Sequence, residues 1–266
     1  MAASSLIQFS NLSVTAGSQP LLTACTGTIA SGTLTAIAGP SGAGKTTLLR
    51  ALAGLSRERV DGEVTFQGRP LESYSLRELA LKRSYLPQNE QVSGGWRCTE
   101  ILQLGFSARR GGTSLMALQA TGEERARVKE TLDMVGLKGM GDRAYATLSG
   151  GEKRRLLFAR ALIQSGECMF LDEPTAFFDP GQSLRFMTLL KEIRGRYDAS
   201  MVVVTHDLGA LLNNFDQLLL LQRGTVVASG PPHEVLKAHG EQVYGVRLQI
   251  DHDREWGYFI KSREER

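Results

Sequence analysis

Residues 39–46, with the sequence Gly-Pro-Ser-Gly-Ala-Gly-Lys-Thr, match the phosphate-binding pattern GxxxxGK[ST]. Glycines let the main chain wrap closely around an anion, so that successive N–H groups point at a phosphate. We expect Lys45 to reach the β- and γ-phosphates of a nucleotide and the Thr46 hydroxyl to ligate Mg²⁺. The pattern therefore predicts a nucleoside triphosphate site. The residues expected to contact the nucleotide are Gly39, Pro40, Ser41, Gly42, Ala43, Gly44, Lys45, Thr46 and Thr47.

Two other apolar runs end in side chains that could act on that nucleotide. Cys168–Leu171 is followed by Asp172 and Glu173. Met201–Val204 is followed, after one threonine, by His206. Ligands of open α/β sheets bind at the carboxyl ends of strands, where such groups would meet the phosphates. We predict that Asp172 holds Mg²⁺, that Glu173 polarises the attacking water, and that His206 contacts the γ-phosphate or that water.

A second glycine-containing motif, Leu148-Ser-Gly-Gly-Glu152, directly precedes a segment with helical spacing. We expect Ser149 to cap this helix, and Gly150 and Gly151 to let the main chain approach a ligand closely. The start of a helix attracts anions through its free N–H groups and its dipole. A second anion-binding helix start is redundant within one chain. We therefore expect this motif to cover a nucleotide that is held by another subunit.

The elements that must position these residues alternate between strand and helix. Thr33–Ala38 is a short apolar run, typical of a strand buried on both faces, and Thr46–Ala53 has helical spacing. A helical stretch, Gln182–Arg194, separates the strands that precede Asp172 and His206, which predicts a parallel sheet with crossover helices. Further predicted elements are the hairpin strands Leu6–Val14 with Leu21–Ile29 and Gln217–Gln222 with Thr225–Ser229, a strand at Gly62–Phe66, and helices at Thr99–Ala108, Gly122–Val135 and Ser149–Ile163.

The order of these motifs resembles that of the ATP-binding cassette (ABC) ATPases, over roughly Leu6 to Leu236. Leu148–Glu152 is similar to the LSGGQ signature of that family, with a glutamate in place of the commoner glutamine. The chain departs from the family pattern near Ala16, where an aromatic residue usually stacks on adenine. It departs again at Phe177-Phe178, where smaller residues are common. Neither departure removes a catalytic group, so we keep the prediction of ATP hydrolysis.

The resemblance implies roles for residues that the motifs above do not cover. Tyr85-Leu-Pro-Gln88 is similar to the Q-loop, whose glutamine contacts Mg²⁺ and links the core to the helical lobe. Gln88 is therefore expected at the metal and at the reacting water. Pro174–Asp179 is similar to the D-loop, which would carry Asp179 across a dimer interface to the nucleotide. His206 matches the switch histidine.

The fold class implied by the resemblance is α/β: a P-loop NTPase core with an antiparallel β-subdomain and an inserted α-helical subdomain. We predict one ABC ATPase domain over residues 1–240, with its core at 1–88 and 165–240 and its helical subdomain at 89–164. A C-terminal extension follows at 241–266. The family likeness also implies a head-to-tail homodimer that holds two ATP molecules, each with Mg²⁺, at its interface.

Two further segments, Thr99–Gly105 and Gly230–Leu236, are similar to those in ATPases that energise the import of iron complexes, haem and vitamin B12. This likeness implies transmembrane permease subunits as partners, a substrate-binding protein in the full system, and a peripheral location on the cytoplasmic face of the inner membrane. A soluble ABC ATPase, such as one for cluster assembly, is the alternative. A cassette that only binds ATP as a scaffold is disfavoured because the reactive residues are intact: Lys45, Asp172, Glu173 and His206.

The composition sets bounds on these interpretations. The 266 residues are 42% apolar and 22% charged, as in ordinary globular proteins. A net charge of +3 is too small to indicate a nucleic-acid partner, and no apolar run approaches the roughly 18 residues that span a bilayer. The three cysteines form no CxxC pair, which favours free thiols and a reducing compartment. No Asn-Lys-x-Asp guanine motif occurs, which favours ATP over GTP.

Overall fold

The computed structural model describes residues 5–111, 120–164, 166–253 and 257–263. Its strands are β1 (Ser5–Ala16), β2 (Gln19–Ala30), β3 (Leu34–Ala38), β4 (Arg59–Phe66), β5 (Arg69–Pro70), β6 (Arg83–Leu86), β7 (Cys168–Asp172), β8 (Ser200–Val204), β9 (Gln217–Gln222), β10 (Thr225–Gly230), β11 (Arg247–Asp253) and β12 (Gly257–Arg263). Its α-helices are α1 (Lys45–Leu52), α2 (Leu76–Lys82), α3 (Cys98–Gln103), α4 (Ser107–Arg110), α5 (Gly122–Met134), α6 (Gly150–Gln164), α7 (Pro180–Tyr197), α8 (Leu208–Asn214) and α9 (Pro232–Tyr244).

The chain divides into two compact units. Unit 1 comprises Met1–Tyr74 and Leu190–Arg266, and unit 2 comprises Ser75–Leu189. In sequence, unit 2 is therefore an insertion into unit 1. The predicted domain boundary at residue 165, and parts of the predicted domain and extension at residues 1–4, 112–119, 254–256 and 264–266, lie outside the described residues.

One sheet of unit 1 is antiparallel, with the strand order β2–β1–β4–β5. β1 and β2 form the predicted hairpin, closed by the pair Ala16 and Gln19. Buried side chains alternate with more exposed ones over Ile7–Phe9 and again over Leu12–Val14, as expected for a sheet with one covered face, and a register shift between Phe9 and Leu12 interrupts the alternation. β4 begins at Arg59, three residues before the predicted start at Gly62, because its exposed first residues pair with the end of β1 at Ser13–Thr15. Cross-strand pairing lengthens the strand where the apolar pattern gives no signal.

The other strands of unit 1 that carry the site run in the order β10–β9–β3–β8. β3 is parallel to both β8 and β9, and β9 turns back into β10 as the predicted hairpin. All five residues of β3 and all five of β8 are buried, as predicted for strands covered on both faces. Because β3 and β8 run parallel, the residues that follow them emerge at the same edge of the sheet.

Unit 2 contains a parallel pair of strands, β6 and β7, with Leu86 opposite Leu171. Helix α6 contacts α3, α5 and β6. Its buried face includes Phe158, whose ring meets Phe186 of α7 edge-on at a centroid distance of 4.8 Å. The carboxyl ends of β6 and β7 lie side by side, so the residues that follow Leu86 and Leu171 are neighbours in space.

The helix predicted at Thr99–Ala108 is divided in the structure. α3 ends at Gln103, a 3₁₀ turn covers Leu104–Phe106, and α4 follows. The turn contains Gly105, where a Cβ atom would lie 2.8 Å from both the main-chain oxygen of Arg160 and Cγ2 of Ile163. The close approach of α6 at this glycine accounts for the tighter local geometry, which the helical spacing alone does not reveal.

The C-terminal segment forms a hairpin of β11 and β12, in which β11 contacts α9 and β12 contacts α8. The Asn213 side chain accepts a hydrogen bond from the N–H of Tyr258 at 2.8 Å and donates one to its oxygen at 2.7 Å. The cysteines, Cys25, Cys98 and Cys168, are free, as predicted, and all three are buried. Within the described residues, none of the helices is both long and apolar enough to cross a membrane.

Candidate functional site

The phosphate-binding loop of unit 1 connects β3 to α1. Its first glycine, Gly39, has φ 149°, and a Cβ atom there would lie 2.2 Å from the main-chain oxygen of Leu221. Gly44 has φ 96° and directly precedes α1, so both positions require glycine. Lys45 is 6% exposed, and its ammonium donates to the main-chain oxygens of Gly39 at 3.0 Å and Pro40 at 2.9 Å. The loop thus holds its own cation at the start of a helix, the arrangement that binds phosphate.

His206 lies at the same edge of the sheet as this loop. Ile37 of β3 is opposite Val204 of β8, and the N–H of Thr205 donates to the oxygen of Ile37 at 3.2 Å. His206 follows and is exposed, while Asp207 caps α8 by accepting from the N–H of Ala210 at 2.8 Å. Unit 1 therefore brings His206 and the phosphate loop to the ends of neighbouring parallel strands, where ligands of such sheets bind.

Unit 2 brings together Gln88, Asp172 and Glu173. The Gln88 amide nitrogen Nε2 donates to Oε2 of Glu173 at 2.8 Å. Asp172 is fully buried, and its Oδ2 accepts from the Tyr85 hydroxyl at 3.3 Å. Glu173 is half-buried with φ 49°, a left-handed backbone that costs a non-glycine residue about 1 kcal/mol. A carboxylate held this way can orient and deprotonate a water, and the buried one beside it can balance a cation.

The signature motif forms the start of α6. The hydroxyl of Ser149 accepts from the N–H of Glu152 at 3.2 Å, and the Glu152 carboxylate accepts from the N–H of Ser149 at 2.7 Å. Hydrogen bonds from the main chain and then the side chain of Ser149 lower the pKa of the Glu152 carboxyl. Ser149 and Gly150 are exposed, and Gly151 is half-buried. The residues predicted to bind an anion therefore face outward, where a ligand from outside the chain can reach them.

The D-loop residues lie next to that helix start. A Cβ atom on Gly150 would be 3.8 Å from Cβ of Phe177, and one on Gly151 would be 2.9 Å from Oε1 of Gln182. Asp179 is exposed, and its Oδ1 accepts from the N–H of Gln182 at 2.7 Å, so it caps α7. Phe177 is 71% exposed at φ 76°. Unit 2 thus places the predicted interface residues of both motifs on one surface.

Sequence reasoning assigned no role to three residues that the structure ties to the site. Tyr85 donates a hydrogen bond to the Asp172 carboxylate, as described above. The Tyr244 hydroxyl is hydrogen-bonded to the main chain of Gly39, and burial raises the pKa of Tyr244 to about 12. Arg154 of α6 is 4% exposed, and burial lowers its pKa, an effect that carboxylates such as Asp172 oppose. In the sequence Arg154 stands between Lys153 and Arg155, so nothing distinguishes it from its charged neighbours. Arg154 donates to the main-chain oxygens of Pro87, Gln88, Asp172, Glu173 and Pro174.

The oxygen groups predicted to hold a metal suit Mg²⁺. Asp172 and Gln88 of unit 2 and Thr46 of unit 1 offer a carboxylate, an amide and a hydroxyl, which are hard ligands. Within the described ranges, no group of three or more His, Cys, Asp or Glu side chains is arranged to hold a metal ion by itself.

Comparison with known proteins gives a consistent result. The sequence profile described as ABC transporter matches residues 22–176. The chain is 36% identical over 241 residues to the hemin import ATP-binding protein HmuV of Streptomyces coelicolor, covering 90% of this chain and 83% of that protein. It is 35% identical over 254 residues to HmuV of Rhizobium meliloti, covering 92% and 93%.

Two solved structures have the same fold. One is a metal-chelate type ABC transporter in an inward-facing conformation, with a TM-score of 0.79 at 20% identity, covering 97% of each chain. The other is MJ1267, an ATP-binding cassette of an ABC transporter, with a TM-score of 0.79 at 22% identity, covering 91% of this chain and 98% of that one. These likenesses confirm the predicted fold class. The chain belongs to the ABC transporter family, as an ATP-binding and ATP-hydrolysing member.

Proposed function

We propose that this chain energises the import of haem or a related iron complex through a membrane-spanning permease. The named relatives, at 36% and 35% identity over nine-tenths of the chain, are hemin import ATP-binding proteins. The vitamin B12 class remains within the same proposal, because the sequence segments that resemble these importers do not separate their cargoes. The single observation that supports hydrolysis by this chain is the 2.8 Å hydrogen bond that places the Gln88 amide on the Glu173 carboxylate.

The proposed roles of the site residues follow from their chemistry. Lys45 and the main-chain N–H groups of residues 39 and 41–47 bind the phosphates, and His206 contacts the γ-phosphate or the attacking water. Glu173, oriented by Gln88, takes up the proton of that water as it attacks. Thr46, Gln88 and Asp172 would hold Mg²⁺, which would neutralise developing phosphate charge when bound.

A second copy of the chain is part of the proposal. Ser149, Gly150 and Gly151 form an anion-binding helix start, and the first two residues are exposed. The phosphate loop of the same chain already supplies such a site, so the exposed one is proposed to cover the nucleotide of the partner copy. Asp179, on the same surface, would reach across the interface. Two copies would then enclose two MgATP and separate after hydrolysis.

The permease is proposed to hold this dimer at the cytoplasmic face of the inner membrane, and a substrate-binding protein would deliver the cargo on the other side. The test is a pull-down with tagged Glu173→Gln protein from detergent-solubilised native membranes in the presence of MgATP. We expect a multi-span permease to be recovered. The matched control is tagged Lys45→Ala protein. It should not form the nucleotide-bound dimer, so it should recover less of the permease. Recovery of soluble partners alone would favour the cluster-assembly class instead.

A further inference from the structure

Arg154 connects the signature helix to the main chain that carries both residues proposed to act on the water. We propose that Arg154 is a positioning residue for ATP hydrolysis, which fixes Gln88 and Glu173 relative to each other and to α6. The inference rests on the proposed roles of Gln88 and Glu173. Every residue in the argument belongs to unit 2.

Within the part of the chain that the structure describes, the guanidinium of Arg154 donates only to main-chain oxygens. Nη2 donates to the oxygen of Glu173 at 2.9 Å and also to that of Asp172. Nη1 donates to the oxygen of Gln88 at 3.1 Å and also to that of Pro87. Nε donates to the oxygen of Pro174 at 3.3 Å. All three nitrogens of the buried side chain are therefore engaged.

These carbonyl groups flank the two reactive residues symmetrically. The oxygens of Asp172 and Glu173 belong to the peptide groups on either side of the Glu173 Cα atom. Those of Pro87 and Gln88 belong to the peptide groups on either side of the Gln88 Cα atom. A peptide group is planar, so fixing both neighbours of a Cα atom fixes the direction in which its side chain leaves. One guanidinium therefore fixes the direction in which both side chains leave the main chain. Their ends are joined by the hydrogen bond from Nε2 of Gln88 to Oε2 of Glu173 at 2.8 Å.

The backbone of Glu173 supplies a reason for such a restraint. Its φ of 49° is unfavourable for a side chain with a Cβ atom, and a conformation of this kind persists only where the surroundings enforce it. Arg154 holds both peptide groups around that residue. Charge-assisted hydrogen bonds are the stronger class, and a buried carbonyl that loses its donor is costly.

The position of Arg154 on α6 adds a consequence. Ser149, Gly150 and Gly151 form the start of this helix, one turn before Arg154. A ligand that binds the exposed helix start and shifts α6 would therefore act, through Arg154, on the main chain at Gln88 and Glu173. The side chain links the surface proposed to meet a second copy with the groups that act on the water.

Only an arginine can satisfy this arrangement. Its planar fork carries five N–H donors at fixed angles, whereas lysine has three donors on a flexible stem and glutamine has two. Arg154→Lys keeps the charge and Arg154→Gln keeps part of the hydrogen bonding, and neither can reach all five oxygens. The matched control is Arg110→Lys, which alters a half-buried arginine of the same unit that pairs with the Glu124 side chain.

The test combines hydrogen–deuterium exchange on the resting protein with steady-state ATPase assays, below the melting transition of every variant. In Arg154→Lys and Arg154→Gln we expect the amides of residues 88–90 and 173–176 to exchange faster, together, while Arg110→Lys leaves them unchanged. We expect kcat to fall about 10- to 100-fold in the Arg154 variants, with KM and MgATP affinity within about twofold of the parent.

Unchanged exchange in both segments, or a kcat within about twofold of the parent for Arg154→Lys, would overturn the proposal. An equal loss of kcat in Arg110→Lys would also overturn it, since general destabilisation would then explain the effect. Absence of hydrolysis by the parent protein would count against the proposed function. The exchange measurement would still decide, independently of activity, whether Arg154 holds the two segments.

Discussion

At Glu173, a half-buried carboxylate accepts a hydrogen bond from an amide that the chain delivers from Gln88. Glu173→Gln keeps the size of the side chain and removes its capacity to accept a proton. Because the phosphate loop is untouched, we expect MgATP binding within about twofold of the parent and turnover reduced by about 100-fold or more. Equilibrium nucleotide binding and phosphate release measure the two quantities.

The matched control for this prediction is Glu192→Gln, which changes an exposed glutamate of α7 in the same way. It should hydrolyse ATP at the parental rate. Parental turnover in Glu173→Gln would show that this carboxylate is not the group that acts on the water.

A second residue-scale prediction concerns Glu124 at the start of α5. Hydrogen bonds from Arg110 lower the pKa of its carboxyl below the usual value of 4.5, and the Nε of Arg110 lies 2.9 Å from Oε1 of Glu124. A carboxyl whose pKa is lower in the folded state stabilises the protein at pH values above its unfolded-state pKa. That stabilisation is lost as the pH falls through the folded-state pKa. Glu124→Gln should therefore be less stable than the parent by about 1 kcal/mol at neutral pH.

Chemical denaturation of the two proteins at several pH values tests this. The difference in free energy of unfolding should shrink as the pH falls below 4.5 and stay constant from there to neutral pH. A difference that is independent of pH would mean that the charge of Glu124 contributes nothing, and that packing or capping accounts for the effect.

The sequence predicts residues whose partners are close along the chain more readily than those with distant partners. Lys45 binds main-chain oxygens five and six residues before it, and the motif that identifies it is only eight residues long. Arg154 binds oxygens 66 and 67 residues before it and others 18 to 20 residues after it. Nothing in the amino-acid sequence of α6 indicates that carbonyl groups from two distant strand ends meet at the Arg154 side chain.

At the scale of elements, α6 begins with a capping box that uses the side chain predicted to bind a partner's nucleotide. Ser149→Arg removes the cap and places a long cation at the helix start. The phosphate loop lies in the other unit, so we expect MgATP affinity within about twofold of the parent. ATP turnover should fall to background if this helix start must cover the nucleotide of a second copy.

Thr121→Arg is the matched control, because Thr121 caps α5 with the same hydrogen-bond pattern to Glu124. Both substitutions should cost about 1 kcal/mol of stability, and Thr121→Arg should hydrolyse ATP at the parental rate. Thermal unfolding, nucleotide binding and phosphate release are compared for the two variants. A collapse of nucleotide affinity in Ser149→Arg would mean that the motif serves its own chain.

The elements themselves were predictable where apolar burial decides them. β3, β7 and β8 are fully buried five-residue strands, and their apolar runs identify them. The β11–β12 hairpin was not specified, because its strands alternate only weakly between covered and exposed side chains. Its position depends on Asn213, whose side chain binds the main chain of Tyr258 some 45 residues later.

At the scale of the whole molecule, the proposed reaction draws on both units. Lys45, Thr46 and His206 belong to unit 1, whereas Gln88, Asp172, Glu173 and the signature belong to unit 2. The sequence predicts which residues belong to one nucleotide site because their motifs have a fixed order. It does not show which of these residues act within one chain and which act between two copies, because the same sequence is compatible with both arrangements.

Mixing two inactive variants separates these arrangements. In a head-to-tail dimer of Lys45→Ala with Ser149→Arg, one site combines both defects and the other combines an intact phosphate loop with an intact signature. Random pairing of equal amounts makes half of the dimers mixed, each with one working site of two. We therefore expect phosphate release to recover to about one quarter of the parental rate, although each variant alone is inactive.

The control for that mixture pairs Lys45→Ala with Glu173→Gln. Both residues are proposed to serve the nucleotide held by their own chain, so every site in the mixed dimer keeps one of the two defects and no activity should return. Recovery in the first mixture alone would show that the signature acts on the partner's nucleotide and that Glu173 acts on the nucleotide of its own chain. Recovery in neither mixture would contradict the shared site, and recovery in both would require Glu173 to act across the interface as well.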